Sequence, residues 1–205
     1  MPVSVVSRFT TQPPVYIFDL DGTILTANSF PLWVRYLLRG GPVRSPVVRA
    51  RIAVVTAVAL AKRKCGFSDH AMFKARLQSL WTNIGCDSEA ADLVAQLENL
   101  VRPELRPLLE RVADATLDAV LATAAADAYA LPLGRKLGFR HIVASSIGRD
   151  NSGERKKEAV LDLLAGLGWR DRELVLFTDH RDDEPLMRIC GTVEWFGTAE
   201  RPVRI

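Results

Sequence analysis

Four short apolar runs constrain this chain more than any other feature. Val15-Tyr-Ile-Phe-Asp-Leu20 leads into the turn signal Asp21-Gly22-Thr23, and Asp118-Ala-Val-Leu-Ala-Thr123 closes on a hydroxyl. Arg140-His-Ile-Val-Ala144 follows, and Glu173-Leu-Val-Leu-Phe-Thr-Asp179 closes on a carboxylate. Continuous apolar runs of this length suit strands buried on both faces, as in a parallel sheet. Helical patterns over 126–137 and 154–167 lie between them, stopped by Gly138 and Gly168. Strands alternating with helices predict a doubly wound, Rossmann-like α/β fold. Such sheets bind ligands beyond the carboxyl ends of their strands, where Asp19, Thr123 and Asp179 fall.

Residues 30–103 break the alternation. Helical patterns run over 31–39, 46–63, 68–81 and near 88–101; Gly40-Gly41-Pro42 separates the first two, and Pro103 and Pro107 mark the return. The chain thus divides into an N-terminal arm (1–14), a core domain (15–29 with 104–205) and a helical insertion (30–103) that reads as a cap over the site, or else as a plain helical layer.

Composition excludes several classes. With 205 residues, 48% of them apolar and 25% charged, the chain is expected to form a globular domain carrying an insertion. A net charge of +3 does not point to nucleic acid. The three cysteines (Cys65, Cys86, Cys190) are far apart and have no metal-ligand spacing, so they read as reduced thiols of a cytoplasmic protein. The N-terminal stretch is interrupted by Arg8, Gln12, Pro13 and Pro14 and does not read as a signal peptide.

The chemistry concentrates at Asp19-x-Asp21-Gly22-Thr23. In extended backbone, residues i and i+2 share a side, so two carboxylates can meet one reacting group. Phosphoryl transfer needs a nucleophile, a proton donor to the leaving oxygen and a cation to offset anionic repulsion. A carboxylate can serve as that nucleophile through an aspartyl-phosphate. The plain alternative is a turn or helix-capping pair.

Phe18-Asp-Leu-Asp-Gly-Thr-Ile24 resembles the first motif of the haloacid dehalogenase superfamily, and three further motifs follow in that family's order over residues 15–190. Thr123 looks like the second, a hydroxyl for the phosphate. Gly153-Glu-Arg-Lys156 resembles the third, whose lysine offsets charge between nucleophile and phosphate; Lys157 is the neighbouring candidate. Thr178-Asp179-His-Arg-Asp-Asp183 resembles the acidic fourth, although Thr178 stands where the family usually has glycine. The resemblance implies a phosphatase with Asp19 as nucleophile, Asp21 as acid/base, and Thr123, Lys156 and Gly22 around the phosphate. It implies Mg2+ held by Asp19, the Asp21 carbonyl, Asp179 and Asp183, with Asp182 as the competitor for the last place. The second Asp of the first motif, absent from dehalogenases, favours phosphate chemistry. A phosphotransferase or a non-catalytic phospho-ligand binder of the same fold are the other readings.

The insertion speaks to substrate. From Pro31 to Lys64 there are eight basic residues and no acid, and Ile52–Ala61 is apolar for ten residues, too short to span a bilayer. That pattern suits either a buried helix with solvated basic ends or peripheral contact with an anionic membrane at its inner face. Ser29-Phe-Pro-Leu-Trp-Val-Arg-Tyr-Leu-Leu-Arg39 resembles the phosphoserine phosphatase-like subfamily with a small helical (C1-type) cap, and loosely the phosphatidylglycerophosphatase C type. Residues 24–40 contain no acid to hold a substrate amine, so the expected substrate is an anionic lipid phosphate or small metabolite phosphate without an amine.

Overall fold

A computed structural model describes residues 12–41, 43, 45–83 and 91–198. The expected N-terminal arm up to residue 11, Cys86 and the start of the helix expected near 88 lie outside the described residues.

Five parallel strands form one sheet: β1 (Val15–Phe18), β2 (Ala119–Ala126), β3 (His141–Ser145), β4 (Leu174–Thr178) and β5 (Thr192–Trp195), in the order β3-β2-β1-β4-β5. This is the predicted α/β class. β1 is central, with Phe18 level with Leu121 on one side and Phe177 on the other. The strand order reverses beside β1, which opens a crevice at the carboxyl ends of β1 and β4.

The strands β1, β2 and β4 at the middle of the sheet are covered on both faces, which is why they read as apolar runs. On one face Val15, Ile17, Val120, Leu174 and Leu176 pack with Val160 and Leu164 of α7 (Gly153–Gly166). On the other, Phe18 stacks on Phe177 with ring centroids 4.6 Å apart and meets Phe139 edge-on at 5.5 Å. Leu121 packs there with Tyr129 and Leu133 of α6 (Asp127–Lys136).

Between β1 and β2 the chain forms α1 (Ser29–Leu38), α2 (Pro46–Lys64), α3 (His70–Asn83), α4 (Ala91–Glu98) and α5 (Arg106–Ala113). Trp33, Ile52, Phe73, Leu77, Leu93 and Leu97 of the first four continue the apolar core of the α6 face. The two segments joining this layer to the sheet pair with each other: Thr26 N–H donates to the Leu100 carbonyl (2.9 Å) and Arg102 N–H to the Ile24 carbonyl (2.8 Å). The apolar run of α2 is only partly buried: Ile52, Thr56 and Ala59 face inward while Val54 and Val58 are exposed. No described helix is long and apolar enough to cross a membrane.

Candidate active site

Asp19 sits one residue past β1, its N–H bonded to the Phe177 carbonyl of the neighbouring strand (2.9 Å). Lys156, from the first turn of α7, reaches across to it: Nζ donates to Asp19 Oδ1 at 2.8 Å and to Asp183 Oδ1 at 2.6 Å. All three residues are buried. Burial pushes the Asp19 carboxyl up to about 7; Lys156 opposes the rise, and the Asp183 and Asp21 charges add to it. Burial alone would lower the Lys156 ammonium, but Asp19 and Asp183 outweigh it and hold the group charged well above the usual lysine range. Lys157 instead points outward to Glu154.

Asp21 is set by a helix start. Asn28 caps α1, its Oδ1 accepting from Phe30 N–H (2.9 Å), and the Ser29 N–H donates to Asp21 Oδ1 (2.8 Å). Burial raises the Asp21 carboxyl despite those Ser29 hydrogen bonds. The turn that follows brings Asp179, after β4, against Gly22. A Cβ at residue 22 would lie 1.9 Å from Asp179 Oδ2, and Gly22 has φ +75°, so both sterics and backbone require glycine. Burial also raises the half-buried Asp179.

Thr123 lies inside β2, its Oγ1 accepting from the Ala125 N–H (3.0 Å). Asp183, in a 3₁₀ turn at Arg181–Asp183, is buried, whereas the Asp182 side chain is exposed. Thr178 donates Oγ1 to Asp183 Oδ2 at 2.6 Å, so the residue standing in place of the family's usual glycine fastens the acid five positions on. His180 is exposed and caps that turn, accepting from Asp182 N–H.

Asp19, Asp21, Gly22, Thr123, Lys156, Asp179 and Asp183 thus line one cavity of about 740 Å³. The helical layer supplies its opposite wall through Phe30, Arg63, His70 and Lys74. His70 stacks edge-on against Phe30, and burial, then Arg63 and Lys74, lower its proton affinity.

Several contributors escaped sequence reasoning. Arg102 clamps the turn after Asp21, donating to the Gly22 carbonyl (2.8 Å) and the Thr23 carbonyl (3.0 Å) while stacking on Phe196. Buried Asn151 donates to the Thr123 carbonyl (3.1 Å). Pro103, one residue after Arg102, was the available signal that the chain returns to the core there.

Comparison with known proteins agrees with this architecture. The sequence model of the haloacid dehalogenase-like hydrolases matches residues 16–188. A comparison with curated proteins found no match. Among solved structures, a protein with unknown function from Bordetella pertussis Tohama I is similar at 21% identity over 86% of each chain, with a TM-score of 0.64. A HAD family hydrolase from Salmonella enterica serovar Typhi shares 12% identity over 87% of this chain and 60% of its own, with a TM-score of 0.55. A probable phosphoserine phosphatase from Vibrio cholerae shares 13% over 90% and 56%, with a TM-score of 0.54. These structural likenesses are of fold, and the family match covers the motifs and four of the five strands: the chain belongs to the haloacid dehalogenase-like hydrolases.

Proposed function

We propose that the protein is a Mg2+-dependent phosphomonoester hydrolase that works through an aspartyl-phosphate on Asp19. The observation that carries this reading is the buried Lys156 ammonium, held between Asp19 and Asp183 at the floor of the cavity. Such a charge offsets anionic repulsion between a carboxylate nucleophile and a phosphoryl group.

Lys156 engages Asp19 Oδ1, leaving Oδ2 to attack phosphorus in line. The P–O ester bond breaks, and the alkoxide takes the proton of Asp21, whose proton affinity burial raises. Asp21 then removes a proton from water, whose oxygen attacks the acyl phosphate; inorganic phosphate leaves and Asp19 is regenerated. Thr123 accepts from Ala125 N–H, which leaves its own O–H free to donate to the phosphate.

Among the described residues no three His, Cys, Asp or Glu side chains form a ready metal cluster. Magnesium does not need one, since it keeps several waters and takes one or two carboxylates plus substrate oxygens. Asp19, Asp21 and Asp179 are all raised in proton affinity by burial, with neighbouring carboxylates adding to each. That all-oxygen, electrostatically frustrated donor set fits a hard cation, held by Asp19, the Asp21 carbonyl and Asp179, with Asp183 behind. When bound, magnesium offsets the charge of the phosphoryl oxygens.

The helical layer acts as the cap of this site. Its wall carries Arg63 and His70, and Asp150, which also lines the cavity, is already paired with Lys74. The substrate is accordingly a phosphomonoester with a further anionic group and no amine.

Hydrolysis of an aryl phosphate is expected with Mg2+ and is expected to fall to background with EDTA. No turnover of that ester or of a panel of phosphorylated metabolites and lipid phosphates, with Mg2+ present, would sink the proposal. Gly22→Ala tests the metal site more sharply. The added methyl displaces Asp179, so the Mg2+ concentration for half-maximal activity should rise more than about 10-fold, with roughly 1 kcal/mol of stability lost to the positive φ. An unchanged Mg2+ dependence would show that Asp179 is not a ligand.

A further inference from the structure

Lys74 of α3 is buried, yet the reaction as derived makes no use of it. Its ammonium donates to the Ala124 carbonyl (2.7 Å), to Ser145 Oγ (3.0 Å) and to Asp150 Oδ1. An ammonium has three donors, so all of them are spent on the core and none is left for a ligand. Ser145 Oγ donates to the same Ala124 carbonyl (2.9 Å). One turn further along α3, Gln78 donates Nε2 to the Ser145 carbonyl (2.6 Å) and to Asp127 Oδ1 (3.0 Å).

The Ala124 carbonyl and the Ala125 N–H belong to one planar peptide unit. Lys74 grips its oxygen, and its N–H on the opposite side is the donor to Thr123 Oγ1. Fixing one end of a rigid plane fixes the other.

We propose that Lys74 is a positioning residue: from the helical layer it orients the Ala124–Ala125 peptide, and through that peptide the Thr123 hydroxyl, so that the phosphate cradle is complete only when α3 is docked on the core. The role of Thr123 rests on the phosphatase reading above; the link from Lys74 to the peptide does not. Docking of the helical layer and readiness of the cradle become one event. Asp150 anchors the ammonium from the loop after β3, and Gln78 adds a second, neutral fastening one turn away.

Amide exchange followed by NMR on Lys74→Ala, and on Asp150→Asn, which keeps the ammonium and its grip on the carbonyl, tests this without reference to any substrate. Protection at Ala125 N–H should fall at least 10-fold in Lys74→Ala and less than 3-fold in Asp150→Asn, with β1 and β4 amides unchanged in both. With an aryl phosphate and Mg2+, Lys74→Ala should lose at least 10-fold in kcat with KM within about 3-fold, and ethylammonium should restore part of the loss. Packing alone would not give rescue by a small cation. Unchanged Ala125 protection in Lys74→Ala overturns the proposal whatever the activity. So does a rise in KM at constant kcat, which would make Lys74 a substrate contact. If Lys74→Ala does not fold, Asp150→Asn together with Lys74→Gln, which retains a donor, decides by the same Ala125 readout. A wild-type protein inactive on every phosphomonoester defeats the phosphatase reading and leaves the exchange result standing.

Discussion

Replacing Asp19 with asparagine is expected to lower phosphomonoester turnover by at least about 10³-fold while making the protein more stable at pH 8. The loss follows from the chemistry, because an amide oxygen does not form the acyl phosphate. The gain follows from the environment. Burial pushes the Asp19 carboxyl from 3.8 up to about 7. A carboxyl whose folded proton affinity exceeds its unfolded one favours the fold in its protonated form. Its contribution is therefore present below about pH 4 and is lost as pH rises through about 7. Asparagine has no charge to bury and keeps an oxygen to accept from Lys156. The difference in stability between Asp19→Asn and wild type should be small near pH 4, grow between pH 4 and 7, and level off above. Its plateau should be roughly 1–3 kcal/mol, about 3–8 °C in Tm for a chain of this size. Adding Mg2+ at pH 8 should narrow the gap by stabilising wild type selectively. Thermal melts across pH and an aryl phosphate assay check both halves. A variant less stable than wild type at pH 8 would show that Asp19 is not the frustrated carboxylate, and one retaining a tenth of the activity would show that it is not the nucleophile.

The same balance explains why so much of this molecule was legible in the chain. A parallel strand covered on both faces must be a short apolar run, and a carboxylate at its end is costly unless it is used. Asp19 and Asp179 therefore advertise themselves beside Phe18 and Thr178. Elements that break this rule were missed. β5 is an edge strand whose residues alternate between exposed and covered, so Thr192-Val-Glu-Trp195 makes no apolar run. α5 carries Pro107 in its first turn, where a missing N–H costs nothing, and the proline read instead as a boundary. β2 runs on to Ala126 past Thr123, where a string of alanines gives no periodic signal either way. The site shows the same division. Residues adjacent to a strand end could be found, but Arg102 and Lys74 act across about 80 and 50 positions of sequence. A single cation on a helix or loop looks like any solvated lysine or arginine until the fold buries it. Thr178 shows the reverse case: the departure from the family's glycine drew notice in the sequence, but its bond to Asp183 needed the structure.

Lys156→Met should produce the largest loss of stability of any single change at the site, about 3–5 kcal/mol, and a fall in turnover of at least about 10³-fold. Methionine matches the lysine stem in length, so packing survives and charge is what disappears. Two buried carboxylates, Asp19 and Asp183, then face each other with no cation between them. Thr178 still donates to Asp183 Oδ2, but one neutral hydrogen bond does not compensate a buried charge. The Asp19 carboxyl, which Lys156 holds down against burial, should answer by binding its proton more tightly. Raised folded proton affinity means stability present at low pH and lost as pH rises, so Lys156→Met should recover much of its deficit between pH 8 and pH 5. A second substitution separates structure from chemistry. Adding Asp183→Asn removes one of the stranded charges, so Lys156→Met/Asp183→Asn should regain at least half of the lost stability at pH 8. It should regain no activity, because the positive charge facing the phosphoryl group is still absent. Denaturant titrations over the four-protein cycle should then give a coupling of about 2 kcal/mol or more between positions 156 and 183. Additive effects, or a single variant Lys156→Met within about 1 kcal/mol of wild type at pH 8, would mean that the ammonium does not hold these carboxylates in place.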